Sequence, residues 1–314
     1  MSKPLTGANS IFYQDMTSPR KDSSIELSDG RDLAYAEYGD PDGVPMMLFH
    51  GLPGSRLAWG FLPGNPFPSG MRIIAPDRPG YGRSSPNPGR SLLDWTEDVK
   101  ALVERLRIDR FHVVGVSGGG PGALACASAL PDLIPCVGVV AGAAPTNAPR
   151  VFDGMSSVNK FFMRLAASAP AISALNTRFI AWVVRRNPGR YIEMMQRKVH
   201  EVDRAILADS NIRDMLVEDF AEALRPGGQG MVDDMATNHG QPWGFRLNDI
   251  RTKVVFWYGA LDHSVSPAMG RYLADQVPNS DFHLVEEAGH LWPLVHLIEI
   301  LEDVVHSGRS ENRV

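Results

Sequence analysis

Only two cysteines, Cys126 and Cys136, occur among the 314 residues, and both sit inside apolar runs. That excludes a disulfide framework and leads us to expect two buried thiols in a reducing compartment. No apolar run approaches the ~18–20 residues that span a bilayer. Residues 1–24 are polar and lack the apolar stretch of a secretory signal. A soluble, cytoplasmic protein without a transmembrane segment is therefore expected. A basic excess is missing too: 31 Lys and Arg against 36 Asp and Glu leave a formal net charge of −5, so no nucleic-acid partner is expected. The 30 glycines and 24 prolines fall short of the roughly 25–30% that marks a low-complexity chain. The sequence shows no metal-ligand cluster, phosphate-cradling loop or dinucleotide fingerprint, so neither a metal nor a cofactor is expected.

What is present is a chain that is 44% hydrophobic and 21% charged, able to bury a sizeable core. At about 150 residues per domain its length suggests two domains. Short apolar runs alternate with helical spacing, the mark of a mostly parallel sheet in an α/β protein. Strands are expected at Leu33 to Tyr38, Val44 to Phe49, Met71 to Ala75, Phe111 to Val116 and Cys136 to Ala141. Helices are expected from Ser91 to Leu106 and from Gly118 to Leu130. From about Pro145 to Trp243 the pattern is helical only, as in Ile172 to Val184, Tyr191 to Val199 and Ile212 to Leu224. Strand signals resume at Lys253 to Tyr258 and Asp281 to Val285, with helices after Pro267 and Pro293. The expected organisation is a flexible arm (residues 1–23), a sheet core in two blocks (24–144 and 246–306), a helical insertion (145–245) and a short flexible tail (307–314).

Gly115-Val116-Ser117-Gly118-Gly119 matches G-x-S-x-G, a weak signal alone. Here it follows a strand pattern and opens a helix, as a nucleophile elbow requires. A serine hydroxyl needs an adjacent base, and the base needs an orienting acid. His290, in Glu286-Glu287-Ala288-Gly289-His290, follows the last strand pattern and is the candidate base. Asp262, in the loop after Lys253 to Tyr258, is the candidate acid. An earlier placement offers only Asn147 and Asp153. His50-Gly51-Leu52-Pro53-Gly54 follows a third strand and can aim the Leu52 N–H at a developing oxyanion, with the Gly118 N–H as second donor. His50 itself is expected to orient this loop, and His263 to lie at the surface.

Together with Asp77-Arg78-Pro79-Gly80-Tyr81-Gly82-Arg83-Ser84, read as a structural turn, these residues resemble the α/β-hydrolase fold family, in its capped serine-hydrolase branch. The resemblance covers about Ser24 to Gly142 and Thr252 to His306. It implies a mostly parallel central sheet flanked by helices, with the insertion forming a cap over the active site. Serine at 117 separates the chain from the branches that use an aspartate nucleophile. The expected activity is cofactor-independent hydrolysis of a small-molecule ester, lactone or thioester with an apolar part. Carbon–carbon bond hydrolysis, perhydrolysis or acyl transfer by the same triad, and a non-catalytic ligand receptor, are the alternatives.

Seven of the 13 methionines fall in the insertion, consistent with an adaptable apolar pocket or with gap-filling between helices. Trp59, Met155, Trp243 and Trp292 are the candidate substrate-binding residues. Arginines and a lysine from Arg178 to Arg204 make the middle of the insertion basic. That pattern suits a solvated helix face, or contact with an acidic substrate, a carrier or a membrane surface. The oligomeric state is left open, with a homodimer among the options.

Overall fold

In a computed structural model, residues 19–60, 67 and 70–310 are described. The sequence alternates strands and helices as expected. The strands are β1 (Lys21–Glu26), β2 (Asp32–Gly39), β3 (Val44–Phe49), β4 (Met71–Pro76), β5 (His112–Val116), β6 (Cys136–Val140), β7 (Lys253–Gly259) and β8 (Ser280–Val285). They form one sheet in the order β1-β2-β4-β3-β5-β6-β7-β8. β2 pairs antiparallel with β1 and β4, and the remaining pairs are parallel.

Central parallel strands are covered on both faces, so their sequences read as unbroken apolar runs. The period of two still divides them. Met47 and Phe49 of β3 pack on one face with α1 (Leu92–Leu106), α2 (Gly120–Ala129) and α9 (Pro267–Gln276). Met46 and Leu48 pack on the other face with α10 (Pro293–Ser310). Helix α1 starts on a capping box, in which the Ser91 side chain accepts from the Asp94 N–H and Asp94 accepts from the Ser91 N–H. Its Trp95 meets Phe49 edge-on with ring centroids 5.2 Å apart.

Between β6 and β7 lie α3 (Ser157–Ser168), α4 (Pro170–Arg186), α5 (Pro188–Gln196), α6 (Glu201–Ile206), α7 (Ser210–Ala223) and α8 (Gln229–Met235), then a π turn over Ala236–Gly240. They hold an apolar cluster of their own around Val184, Leu207, Phe220 and Leu224, and Tyr81 of the core packs into it. The sheet and the helical segment thus have separate interiors joined at a seam.

Two boundaries differ from the expectation. β1 begins at Lys21, inside the stretch assigned to an arm, and Lys21 is registered with Glu37 of β2. Only Ile25 of this edge strand is buried, so no alternation marks it in the sequence. At the other end α10 continues to Ser310, past the point where a tail was expected. The rest of the arm, residues 1–18, and positions 311–314 lie outside the described residues. Cys126 and Cys136 are both buried, and burial pushes the Cys126 thiol pKa up. Among the described residues no helix is long and apolar enough to cross a membrane.

Candidate active site

Four strands deliver the candidate residues to one edge of the sheet. β3 ends at His50-Gly51-Leu52, β5 at Ser117, β7 leads to Asp262 and β8 to His290. This is the carboxyl edge, where open α/β sheets place their sites. Ser117 has φ 52°, the left-handed region that a residue with a Cβ enters at a cost of order 1–2 kcal/mol. The turn is closed too tightly for other side chains: a Cβ on Gly115 would lie 2.5 Å from the Gly119 oxygen.

His290 Nδ1 lies 2.7 Å from Asp262 Oδ2 and its Nε2 3.1 Å from Ser117 Oγ. A carboxylate only accepts, so Nδ1 carries the proton and Nε2 is left to accept from the serine hydroxyl. The other Asp262 oxygen accepts the N–H groups of Ser264 at 2.7 Å and Val265 at 2.9 Å. Burial works against the imidazolium, but the charge and hydrogen bond of Asp262 and the charge of Asp203 outweigh it. The His290 pKa consequently stands above its ordinary value of 6.5.

Beside the serine, a Cβ on Gly118 would sit 3.3 Å from the Leu52 amide nitrogen, so the Leu52 and Gly118 backbones lie against each other. The Leu52 loop is held by Arg78, whose guanidinium donates to the carbonyls of His50 and Gly51. Its backbone N–H donates to His50 Nε2 at 3.1 Å. His50 Nδ1 therefore carries the ring proton and donates to the Gly51 carbonyl at 2.9 Å. Complete burial and the adjacent Arg78 hold the His50 pKa well below 6.5. His50 is a neutral loop brace, as expected.

The helical segment reaches this edge at several points that sequence reasoning did not single out. Asp203 of α6 accepts the N–H of His290 at 2.9 Å and of Leu291 at 2.8 Å. Asn238 of the π turn donates to the Gly118 carbonyl at 3.1 Å. Asp234 of α8 bonds Arg78, Arg90 and Tyr81. Against the cost of its burial, the charges of Arg78 and Arg90 hold its pKa below the ordinary carboxylate value. Asp219 of α7 accepts both the N–H and the hydroxyl of Ser55, at 2.8 and 2.7 Å, and burial pushes its pKa up to about 7. Nothing in the sequence marks these acids, because an acid in a helical pattern reads as solvent-facing.

Asp153, the weaker alternative for the acid, pairs with Arg150 at the surface, away from His290. His263 is exposed and packs edge-on against His200. The Asp77 turn is structural: Asp77 accepts the N–H groups of Arg56 and Arg83 and pairs with the Arg56 guanidinium.

All four candidate substrate-binding residues, Trp59, Met155, Trp243 and Trp292, are buried. Trp59 and Trp292 pack in the core cluster of the face covered by α10, and Met155 packs in the core of the opposite face. Large apolar side chains near motif loops are used here to close the protein interior. Trp243 is 5% exposed and donates from its indole to the Asn238 carbonyl at 3.2 Å. It also borders a cavity of about 540 Å³ lined in part by Thr146, Asn238 and His239. Among the described residues no group of three or more His, Cys, Asp or Glu is placed to hold a metal.

A family model described as alpha/beta hydrolase fold matches residues 44–297. The chain is 27% identical over 304 residues to 2-hydroxymuconate semialdehyde hydrolase of Pseudomonas putida, covering 90% of this chain and 93% of that one. It is 34% identical over 113 residues to a non-heme chloroperoxidase of Streptomyces lividans, but spans only 41% of that protein and 35% of its own length. A thermophilic esterase from Thermogutta terrifontis superposes with a TM-score of 0.63 at 22% identity, covering 92% of this chain and 99% of the other. That likeness bears on the fold alone. The chain belongs to the α/β-hydrolase fold family, and it is a hydrolase of that class.

Proposed function

We propose that the protein is a serine hydrolase that cleaves carboxylic esters, lactones or thioesters with an apolar part through an acyl-enzyme. The observation that carries this reading is the hydrogen-bonded line from Asp262 through His290 to Ser117 Oγ, with steps of 2.7 and 3.1 Å. Ser117 Oγ attacks the carbonyl carbon while His290 Nε2 takes its proton. The Leu52 and Gly118 N–H groups hold the oxyanion. As the tetrahedral species collapses, His290 returns the proton to the leaving oxygen or sulfur. A water that gives its proton to His290 then attacks the acyl carbon, and the acid leaves as Ser117 is reprotonated. Throughout, Asp262 holds the imidazolium and its orientation. A cap formed by residues 145–245 would border the acyl site.

The relatedness to the Pseudomonas putida semialdehyde hydrolase over nine-tenths of the chain favours a second reading, carbon–carbon bond hydrolysis by the same residues. The two separate on a matched pair of substrates, an ester and a β-diketone with the same acyl part. Turnover of a graded series of p-nitrophenyl esters tests the first. Ser117→Ala should lower kcat by about 10³-fold or more, and a fluorophosphonate probe should label Ser117 alone. Near-normal turnover in Ser117→Ala would overturn both readings.

A further inference from the structure

The segment between β6 and β7 is divided by charge. From Ser157 to Lys198 it carries six arginines and two lysines against a single acid, Glu193. From Val199 to Met235 it carries nine acids against three arginines. Three acids of this second half, Asp203, Asp219 and Asp234, turn toward the sheet domain and find their partners there. The exposed surface of the first half is apolar as well as cationic. Of the eight large hydrophobic side chains exposed among the described residues, seven lie on α3, α4 and α5.

Helix α4 is inverted. Its buried positions are Ser173, Thr177, Ala181 and Val184. Its outward stripe is Ile172, Leu175, Phe179 and Trp182, between 53% and 70% exposed. At 3.6 residues per turn these four fall within roughly 80° of one another. The small inner residues let α4 approach the next helices closely: a Cβ on Gly228 would lie 2.6 Å from that of Ala181. An ordinary surface helix buries its large apolar side chains and exposes its small polar ones, so the outward stripe of α4 awaits a partner. Phe179 stacks on Trp182 with centroids 6.1 Å apart, and the Arg186 guanidinium lies 5.2 Å over the Trp182 ring. Arg178 and Arg185 run along one edge of the stripe, both exposed.

We propose that this face of α3 to α5 docks on an anionic lipid surface, with the α4 stripe entering the acyl boundary and the flanking arginines at the headgroups. Aromatic and aliphatic side chains bordered by arginine match a bilayer interface, apolar within and negative at its edge. Arginine stems lie along apolar surface while their heads stay with the phosphates. A second copy of the chain fits less well: an isologous contact would set this cationic half against itself. The helix lies on the membrane and does not cross it, since no described helix is long and apolar enough to span one.

Co-sedimentation of the full chain with vesicles tests this. Vesicles of equal parts phosphatidylglycerol and phosphatidylcholine should bind it at least tenfold more tightly than phosphatidylcholine alone, and high salt should abolish the difference. Arg185→Gln/Arg186→Gln should weaken partition about 30-fold. Phe179→Ser/Trp182→Ser should abolish it, while Arg105→Gln/Arg110→Gln on α1 and its following turn should leave it unchanged. A vesicle-induced blue shift in fluorescence that disappears in Trp182→Phe would place that indole at the interface without depending on a loss of binding. Equal affinity for neutral vesicles, or full binding by the Phe179/Trp182 variant, would overturn the proposal. So would a vesicle-free dimer that this variant dissolves.

Discussion

The loops at the carboxyl edge of the sheet and the helices that meet them solve positioning by different means. At the edge, position comes from the backbone: parallel strands run to a common end, and glycines let the Ser117 turn close onto β3. In the helical segment it comes from buried acids reaching across the seam, with Asp203, Asp219 and Asp234 each ending on a backbone N–H, a hydroxyl or a guanidinium of the core. An apolar seam would tolerate sliding, because packing is non-directional. Carboxylates with specific partners set one register, and they leave a costly orphan whenever one member is removed.

The largest effect expected across the seam is at Asp234. Replacing it by alanine would leave the buried Arg78 without a carboxylate partner and Arg90 with Asp233 alone, and would loosen the brace on the His50 and Gly51 carbonyls. A loss of about 3–5 kcal/mol in denaturant unfolding is expected. A loss below 1 kcal/mol would show that the seam is held by packing instead.

Asp219 gives a smaller effect with a defined pH dependence. Its folded pKa is about 7, raised by burial above the ordinary 3.8. The folded state therefore binds more protons than the unfolded one between those values. Its contribution is fully present below about pH 4 and is lost as pH rises through 7. Asp77, raised to about 6 by burial, adds to the same slope over a narrower window. Asp219→Asn keeps an acceptor for Ser55 and should flatten the decline between pH 4 and 7. Above pH 7 it should be the more stable protein, by on the order of 2–4 kcal/mol. Unfolding midpoints at pH 5 and pH 8 test this, and equal slopes in the two proteins would refute it.

The smallest change is at Asp203, which ties α6 to the histidine loop. Asp203→Asn keeps the shape, replaces one acceptor by a donor, and should cost about 1–2 kcal/mol of stability. It also removes one of the charges that raise the His290 pKa. Since His290 acts as a base only when neutral, the acidic limb of kcat/KM against pH should move to lower pH in the variant. A merely structural role would lower kcat/KM at every pH and leave the limb where it was.

Most of the sheet was legible in the sequence because a parallel strand buried on both faces has little option but to be apolar. Val44–Phe49 and Lys253–Gly259 are such runs. The candidate triad was legible for a related reason: each member follows a strand on a short loop, and glycines crowd the serine turn. β1 was missed because an edge strand with one buried residue has no pattern to read. The core cluster that Trp59 and Trp292 join was not legible, because proximity in sequence to a motif loop does not say which face of the sheet a side chain takes. The acids of the helical segment were missed for the plainest reason. Their partners lie 87, 156 and 164 positions away, and nothing local distinguishes a carboxylate bound for water from one bound for a buried arginine.

Composition, apolar runs and the turn residues after them settled by local chemistry that this chain makes a mostly parallel sheet with Ser117, Asp262 and His290 on strand-end loops. Helical periodicity settled that about a hundred residues between β6 and β7 are helices. Only the tertiary structure decided which way those helices face. An amphipathic pattern states that two faces differ and leaves open which one meets the protein. Here the small face of α4 packs inward and the large apolar one looks out, while Asp203, Asp219 and Asp234 of α6 to α8 turn in to the core. Such choices depend on the partner across the interface, and that partner is distant in the chain.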